Sequence, residues 1–343
     1  MADTSWSRDL FKIAPGRVSY AVAARVAAAT GVPLLAGIAT GHVIVGVIGA
    51  ACAMLVTMAD IGTTRAERVG SMAAAAVAMV VGGTIGAKFG GTTYADEAVV
   101  LGAAALAGRV SGSHPAIDAV ARFCAVATAA GAGLQFSDPA VAMAALGGGA
   151  FAILVTFVAW WLTGVPAADN VMDWRAGLRA AIAGEHAGPQ FAILYAVACA
   201  FALLAAGTLG VARPYWATIT VMMVMRREGL MSLELVIHYM LGTLAGILAA
   251  AAIEWVVPVP AVTALGAIAS AACLRAGFAL NPGLGYTAFT VFFMLAIDLA
   301  VRGGGLDAHL LSTRLYDVAV GCVIALAGTL LTRFFSRRPA PAS

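Results

Sequence analysis

Long apolar segments follow one another along this chain and limit its fold more than any single motif does. About twelve of them can be drawn, at 17–39, 43–59, 69–87, 98–110, 115–134, 139–164, 190–211, 214–225, 232–257, 259–275, 284–301 and 315–335. A helix needs roughly 20 apolar residues to cross a bilayer, and only 98–110 and 214–225 fall clearly short of that length. The pattern predicts an all-α polytopic membrane protein with about twelve transmembrane helices.

Composition supports lipid as the solvent. Of the 343 residues, 62% are hydrophobic and 11% are charged, whereas soluble domains carry about 25% charged residues. The apolar segments leave no stretch long enough for a separate soluble domain. Outside them we expect an N-terminal interfacial segment at 1–16 and a C-terminal tail at 336–343.

The distribution of basic residues predicts the orientation. If the segments alternate in direction, the connections on the side of the N-terminus carry most of the arginines. The opposite side carries only Lys88, Arg213, Arg302 and Arg314. Because Lys/Arg bias in the loops sets topology, both termini are predicted to face the cytoplasm.

The layout of the first half recurs in the second. Gly70-Ser71 aligns with Gly242-Thr243, and Gly149 aligns with Gly321. We predict two parallel repeats of about six helices each, at 17–164 and 189–335. The polar stretch 165–188 between them is either a helix on the inner surface or a plain linker. Polar residues are richer in the second half, so we expect an asymmetric site.

Two segments carry helix-breaking residues at membrane depth, Thr30-Gly31-Val32-Pro33 and Asn281-Pro282-Gly283. We expect both to interrupt helical hydrogen bonding. Irregular backbone inside a membrane is tolerated only against protein or a water-filled cavity, so these breaks hint at a pathway.

Ionisable residues inside apolar segments are candidate functional groups, because each costs at least ~2.5–3.5 kcal/mol at the bilayer centre. Arg25 has no acidic residue within four positions and offers a guanidinium group suited to carboxylates. It is the first choice for contact with an organic anion, unless it reaches back to the inner interface.

Three further basic residues lie one helical turn from an acid, a spacing at which side chains face each other. The pairs are Asp118–Arg122, Asp298–Arg302 and Arg314–Asp317. Each is either a helix-stabilising pair or a working site. Among them we retain Arg122 and Arg314 as candidate anion contacts.

The remaining candidates are titratable or aromatic. Asp317, Asp298 and His238 could carry a coupling proton, although His238 could equally be a packed core residue. Tyr215 and Trp216 either belong to an outer aromatic belt or flank a flat ring of the substrate. Glu254 and Asp60 are lesser candidates, and Asp60 reads more naturally as an interfacial cap.

Motifs for ATP hydrolysis, zinc proteolysis and redox chemistry are absent: the sequence has no P-loop, no HExxH and no paired CxxC. We therefore expect no enzyme activity, no metal and no cofactor, and solute movement that is downhill or driven by an ion gradient.

Three motifs in order carry a resemblance: Arg213-Pro214-Tyr215-Trp216-Ala217, then Leu241-Gly242-Thr243-Leu244-Ala245-Gly246, then Arg314-Leu315-Tyr316-Asp317 before Gly321. With Arg25 in an alanine-rich first segment, they resemble the fusaric acid resistance or aromatic acid exporter proteins of the FUSC-like family. The resemblance implies a bacterial inner-membrane exporter of aromatic or other organic carboxylates, driven by protons. The chain also looks distantly like plant aluminium-activated malate channels, with two six-helix units fused.

These observations together favour a proton-coupled secondary transporter that exports organic, above all aromatic, carboxylates. The alternatives are a passive organic-anion channel and a non-transporting membrane component of envelope assembly. The expected partners are a small organic anion and membrane lipid, with no nucleic acid. A homodimer is left open.

Overall fold

A computed structural model describes residues 12–13, 19–92, 94–135, 138–165, 173–183, 185, 188–210, 214–226, 229–257, 259–302 and 308–336. Within these ranges all regular structure is helical, so the all-α prediction is confirmed there. The helices are α1 Tyr20–Ala39, α2 Val43–Met58, α3 Arg65–Phe89, α4 Ala95–Val110, α5 Pro115–Leu134, α6 Pro139–Thr163, α7 Trp174–Ala183, α8 Gly188–Thr208, α9 Pro214–Val224, α10 Gly229–Val256, α11 Pro260–Leu280, α12 Pro282–Arg302 and α13 Ala308–Ser336.

Nine helical segments among the described residues are long and apolar enough to cross a membrane: Tyr20–Ala39, Arg65–Phe89, Pro115–Leu134, Pro139–Thr163, Gly188–Thr208, Leu233–Val256, Pro260–Leu280, Pro282–Val301 and Ser312–Thr332. The chain is therefore a multi-pass membrane protein. Two apolar helices are shorter, α2 and α9. At 1.5 Å per residue, α9 is about 16 Å long, half the hydrocarbon thickness. Twelve crossings and the orientation of the termini stay predictions.

Polar caps followed by proline set the start of several helices. His114, Asp138 and Asn281 each precede a proline, and each side chain accepts a hydrogen bond from the backbone N–H two residues later. Proline suits this first helical position because its missing N–H would have no partner there. These caps fix the beginnings of α5, α6 and α12.

The two predicted helix breaks differ in outcome. At Asn281 the prediction is confirmed, since α11 ends at Leu280 and α12 starts at Pro282. At Thr30–Pro33 it is wrong, because α1 runs through Pro33 as one helix. The reason is packing: Gly37 lies against the backbone of Gly46 with no room for a side chain. Such close approach of α1 and α2 supports a helix that proline alone would weaken.

The first of two compact units comprises residues 1–77, 138–169 and 237–312. In it α1 packs against α2, α6 and α11, and α2 packs against α6 and α12. Helices α11 and α12 form an antiparallel hairpin joined by Asn281 alone. Its core combines alanine, aliphatic and methionine side chains with Phe289 and the fully buried Phe292.

The second compact unit comprises residues 78–137, 170–236 and 313–343. In it α8 packs against α4 and α9, α9 packs against α5, and α4 packs against α5. The short helix α7, which lies in the 165–188 connection, contacts α4 and α5. Glycines again allow close packing, as where Gly86 meets the carbonyl oxygen of Thr128.

Each unit takes helices from both halves of the sequence, so the units do not coincide with the predicted repeats 17–164 and 189–335. The two units nevertheless share one pattern of helix packing when α1–α6 are matched in order to α8–α13. The matching pairs are α1–α2 with α8–α9, α1–α11 with α8–α4, α2–α12 with α9–α5, and α11–α12 with α4–α5. Most of the segment 1–16 and the tail from 337 onward lie outside the described residues.

Candidate anion site

The most highly charged cluster in the first unit is centred on Asp60, two residues beyond the end of α2. Its carboxylate is buried, with 1% of the side chain exposed. Arg25 of α1 donates from Nη2 to Asp60 Oδ2 at 2.9 Å and is itself 3% exposed. Arg25 thus points into the protein, toward an acid that is remote in sequence. The interpretation of Asp60 as an interfacial cap does not describe these contacts.

Arg68 of α3 holds the other oxygen of the same carboxylate. Its Nη1 lies 3.3 Å from Asp60 Oδ1, and its Nε donates to the carbonyl oxygen of Gly62 at 2.9 Å. The start of α3 is fixed by a capping box, in which Glu67 N–H donates to Thr64 Oγ1 and Glu67 Oε2 accepts from the backbone N–H of Thr63. This local order places Arg68 toward Asp60.

Arg275 of α11 completes the cluster and is its most accessible member. Its Nη1 donates to Asp60 Oδ2 at 3.2 Å and to the carbonyl oxygen of Thr57 at 3.2 Å. The side chain is 31% exposed. Because Thr57 lies in the last turn of α2, the guanidinium also meets the negative end of that helix dipole.

Counted over the described residues, the cluster holds more positive than negative charge, because three guanidinium groups surround the carboxylate of Asp60. Arg25 is repelled by the charges of Arg275 and Arg68, and its buried Nε has no hydrogen-bond partner among the described residues. Buried charge is costly unless it is fully paired. An arrangement of this kind can bind a further carboxylate, for which guanidinium geometry is well matched.

Aromatic rings lie one helical turn from Arg275. Phe278 of α11 meets Tyr286 of α12 edge to face, with ring centroids 5.0 Å apart. Tyr286 in turn meets Tyr239 of α10 at 4.7 Å. Residues three apart on a helix are neighbours, so Phe278 lies next to Arg275 on α11, and Tyr286 and Tyr239 continue the aromatic contacts from Phe278 within the first unit.

Acidic residues lie toward the other end of the same unit. Buried Glu254 of α10 accepts a hydrogen bond at Oε1 from Thr263 of α11, and its Oε2 has no hydrogen-bond partner in the described part of the chain. Thr263 lies twelve residues before Arg275, which is about 18 Å along α11.

Helix register brings a second acid to the level of Glu254. On α10, Gly242 packs against Tyr286 of α12, and Gly246 packs against Thr290. Continuing both helices by two turns places Glu254 level with Asp298, which is fully buried. His238, also buried in α10, lies beside Gly283 at the opposite end.

In the second unit, Arg122 of α5 is buried at the end of the short helix α9. It donates to the carbonyl oxygens of Met222 at 2.9 Å and Met225 at 3.4 Å. It also pairs with Asp118 at 2.9 Å, which confirms that predicted pair. Arg226 lies 3.8 Å from the same carboxylate. Here the guanidinium caps a helix C-terminus.

The aromatic motif near residue 215 also lies in the second unit. The Arg314 guanidinium stacks over the Trp216 ring at 4.6 Å, a cation–π contact. Tyr215 donates its hydroxyl to Asp96 Oδ2 at 2.6 Å. Asp317, one turn after Arg314, is fully buried. The predicted ring-binding and basic residues thus contact one another or nearby acids.

The structure distributes the predicted residues between both units. Arg25, His238 and Asp298 belong to the first, whereas the second contains Arg122, Tyr215, Trp216, Arg314 and Asp317. Arg213 and the side chain of Arg302 lie outside the described residues. Sequence reasoning missed Arg68 and Arg275 because both looked like ordinary basic residues of inner loops. The only signal was the isolated Asp60 at a segment end.

Comparison with protein families supplies an independent match to part of the chain. Residues 197–328 match the fusaric acid resistance protein-like family model. The match confirms the resemblance found in the sequence, over less than half of the chain. It includes Arg275, Trp216 and Asp298 and ends well after Asp317. Searches of curated proteins and of solved structures gave no match.

Proposed function

We propose that the protein is a secondary transporter that exports organic carboxylate anions across a bacterial inner membrane. Two findings support a transporter-type membrane protein: the nine helical segments of the described residues that are long and apolar enough to cross a membrane, and the fusaric acid resistance protein-like domain match. The single observation that carries the choice of anions is the Asp60 cluster. Three converging guanidinium groups share one carboxylate there, and one of them is partly open.

Aromatic acids are the proposed preferred class. Phe278 lies three residues after Arg275 on α11, and its ring meets that of Tyr286, so a flat substrate ring could rest beside Phe278 while its carboxylate binds the guanidinium groups. Trp216, the ring contact expected from the sequence, is stacked on Arg314 in the other unit. We therefore assign the carboxylate contact to Arg25 and Arg275, and the ring contact to Phe278.

The driving force has two parts. A membrane potential that is negative inside favours anion exit by roughly 2.3 kcal/mol per charge per 100 mV. Proton coupling is assigned to the acidic end of the first unit, Glu254 and Asp298, because buried carboxyl groups in transporters commonly relay protons. With cytoplasmic termini the basic cluster faces inward and the acidic end outward.

The matching helix pairings of the two units favour duplication. Two parallel repeats that exchange their fourth and fifth helices would produce the same pairings twice. In such an arrangement neither repeat forms a compact body alone, because each compact unit combines helices from both.

Flux measurements in inverted membrane vesicles test the proposal. Labelled benzoate should accumulate in vesicles that contain the protein, and an imposed proton gradient should increase the rate. Arg275→Gln should lower the flux at least tenfold, since it removes a charge-assisted contact worth about 1.5–3 kcal/mol. Arg65→Gln is the matched control, because Arg65 is exposed on the first turn of the same α3 that carries Arg68.

Three outcomes separate the alternatives. Benzoate current without any dependence on the proton gradient identifies a passive channel. Flux at the level of empty vesicles identifies a non-transporting component. Equal loss in Arg275→Gln and Arg65→Gln removes the Asp60 cluster from the mechanism.

A further inference from the structure

We infer that Asp60 is a resident ligand of the anion site, and that a transported carboxylate binds Arg25 and Arg275 by displacing it. The inference rests on the proposed function for the nature of the anion. It adds a mechanism by which part of the positive charge of Arg25 and Arg275 stays paired when the site is empty, and by which the site can still release its cargo.

The contacts of the two Asp60 oxygens are unequal. Oδ2 accepts from both Arg25 at 2.9 Å and Arg275 at 3.2 Å, whereas Oδ1 meets Arg68 at 3.3 Å. A guanidinium group binds a carboxylate most strongly through two parallel hydrogen bonds. Neither Arg25 nor Arg275 makes such a pair with Asp60, because each reaches only Oδ2.

Unused donors remain on the two arginines that share Oδ2. The Nε of Arg25 is buried without a hydrogen-bond partner among the described residues. Within the described ranges, Arg275 makes hydrogen bonds through Nη1 alone, to Asp60 and to the carbonyl oxygen of Thr57. A buried donor without a partner destabilises the protein. An external carboxylate that took the place of Oδ2 would supply the second oxygen these donors lack.

Asp60 can yield this position without becoming unpaired. It lies in the connection between α2 and α3 rather than within a helix. Its Oδ1 contact with Arg68 does not involve either arginine of the exchange site. Arg275 is the half-buried member of the cluster, with 31% of its side chain exposed, whereas 3% of the Arg25 side chain is exposed. An incoming anion would therefore meet Arg275 first and Arg25 second.

The test measures binding of benzoate to the purified full-length protein in lipid nanodiscs, with neutral benzamide as the matched ligand control. Asp60→Asn removes the competing charge at nearly constant shape. We expect benzoate to bind this variant about tenfold more tightly than the wild type, because the competing charge-assisted bonds are gone. Benzamide should bind neither protein, and Arg65→Gln should bind benzoate like the wild type.

Asp60→Asn also leaves buried arginines short of a partner, so stability gives a second measurement. Benzoate should raise the purification yield and the melting temperature of Asp60→Asn, and it should raise them more than it does for the wild type. Benzamide should leave both unchanged. If Asp60→Asn gives the same yield and melting temperature in benzoate as in benzamide, the displacement of Asp60 by the anion is overturned. A folded Asp60→Asn variant that binds benzoate no more tightly than the wild type would also overturn it.

Arg275→Gln distinguishes this inference from the proposed function. Loss of benzoate binding in Arg275→Gln, without tighter binding in Asp60→Asn, would reject exchange and leave the anion site in place. Wild-type binding and flux in Arg275→Gln would reject both.

Discussion

In both compact units an arginine lies at the C-terminal end of a short helix, but the acid that pairs with this arginine has different surroundings. Each contains a short apolar helix, α2 or α9, whose last carbonyl oxygens meet a guanidinium group. In the first unit Arg275 donates to Thr57 and to Asp60. In the second Arg122 donates to Met222 and to Asp118. The positive charge suits the negative helix end in both cases.

The difference lies in how many groups share the acid. Asp118 sits one turn from Arg122 on the same helix, and both of its oxygens face that arginine at 2.9 and 3.0 Å. Asp60 instead faces arginines from α1, α3 and α11, and two of them share a single oxygen. Arg226 also lies 3.8 Å from Asp118, so that carboxylate has two arginine neighbours where Asp60 has three. The close Asp118–Arg122 pair is suited to holding a helix end in place, whereas the three arginines around Asp60 leave binding capacity for another anion.

The largest expected effect comes from deleting the two acids. Asp60→Ala should cost about 3–5 kcal/mol of stability, because it strands buried guanidinium groups. Asp118→Ala should cost clearly less, because the Asp118 side chain is 23% exposed and water can enter its place to solvate the guanidinium groups that lose it. Thermal melting in detergent checks both variants side by side. Similar losses of stability in the two variants would mean that both acids have the same structural role.

Arginine deletions should separate transport from stability. Arg122→Gln removes hydrogen bonds to Met222 and Met225, and we expect a stability loss of about 1–3 kcal/mol. Its benzoate flux per folded molecule should stay within twofold of wild type. Arg275→Gln should show the reverse, with a small change in melting and a large change in flux. Flux in vesicles, normalised to folded protein, measures the contrast. Loss of flux in both would place an anion site in each unit.

The sequence predicted what is local and missed what depends on tertiary assembly. Apolar segment lengths located the helices, and i,i+4 spacing located Asp118–Arg122, since both follow from the geometry of one helix. The partner of Arg25 could not be found this way, because Asp60 is 35 residues away and Arg275 lies in the other half of the chain.

Each compact unit combines helices from both halves of the sequence, and this bears on a second expectation. Polar groups were expected to concentrate in the second half, yet the Asp60 cluster takes three of its four members from the first. The cluster exists because α11 packs on α1. Hydropathy along the chain carries no information on which helices pack together, since every apolar helix can pack against any other in lipid.

The smallest expected effect concerns one hydroxyl–carboxylate hydrogen bond in each unit. Tyr215 donates to half-buried Asp96, and Thr263 donates to buried Glu254. Tyr215→Phe should cost about 1 kcal/mol, because water can replace the lost donor at Asp96. Thr263→Val should cost more and should also change how flux responds to the proton gradient, because Glu254 loses its described hydrogen-bond partner. Melting curves and flux at imposed gradients measure both. An unaltered gradient response in Thr263→Val, with normal folding, would remove Glu254 from proton coupling and leave Asp298 as the acid at that end of the first unit.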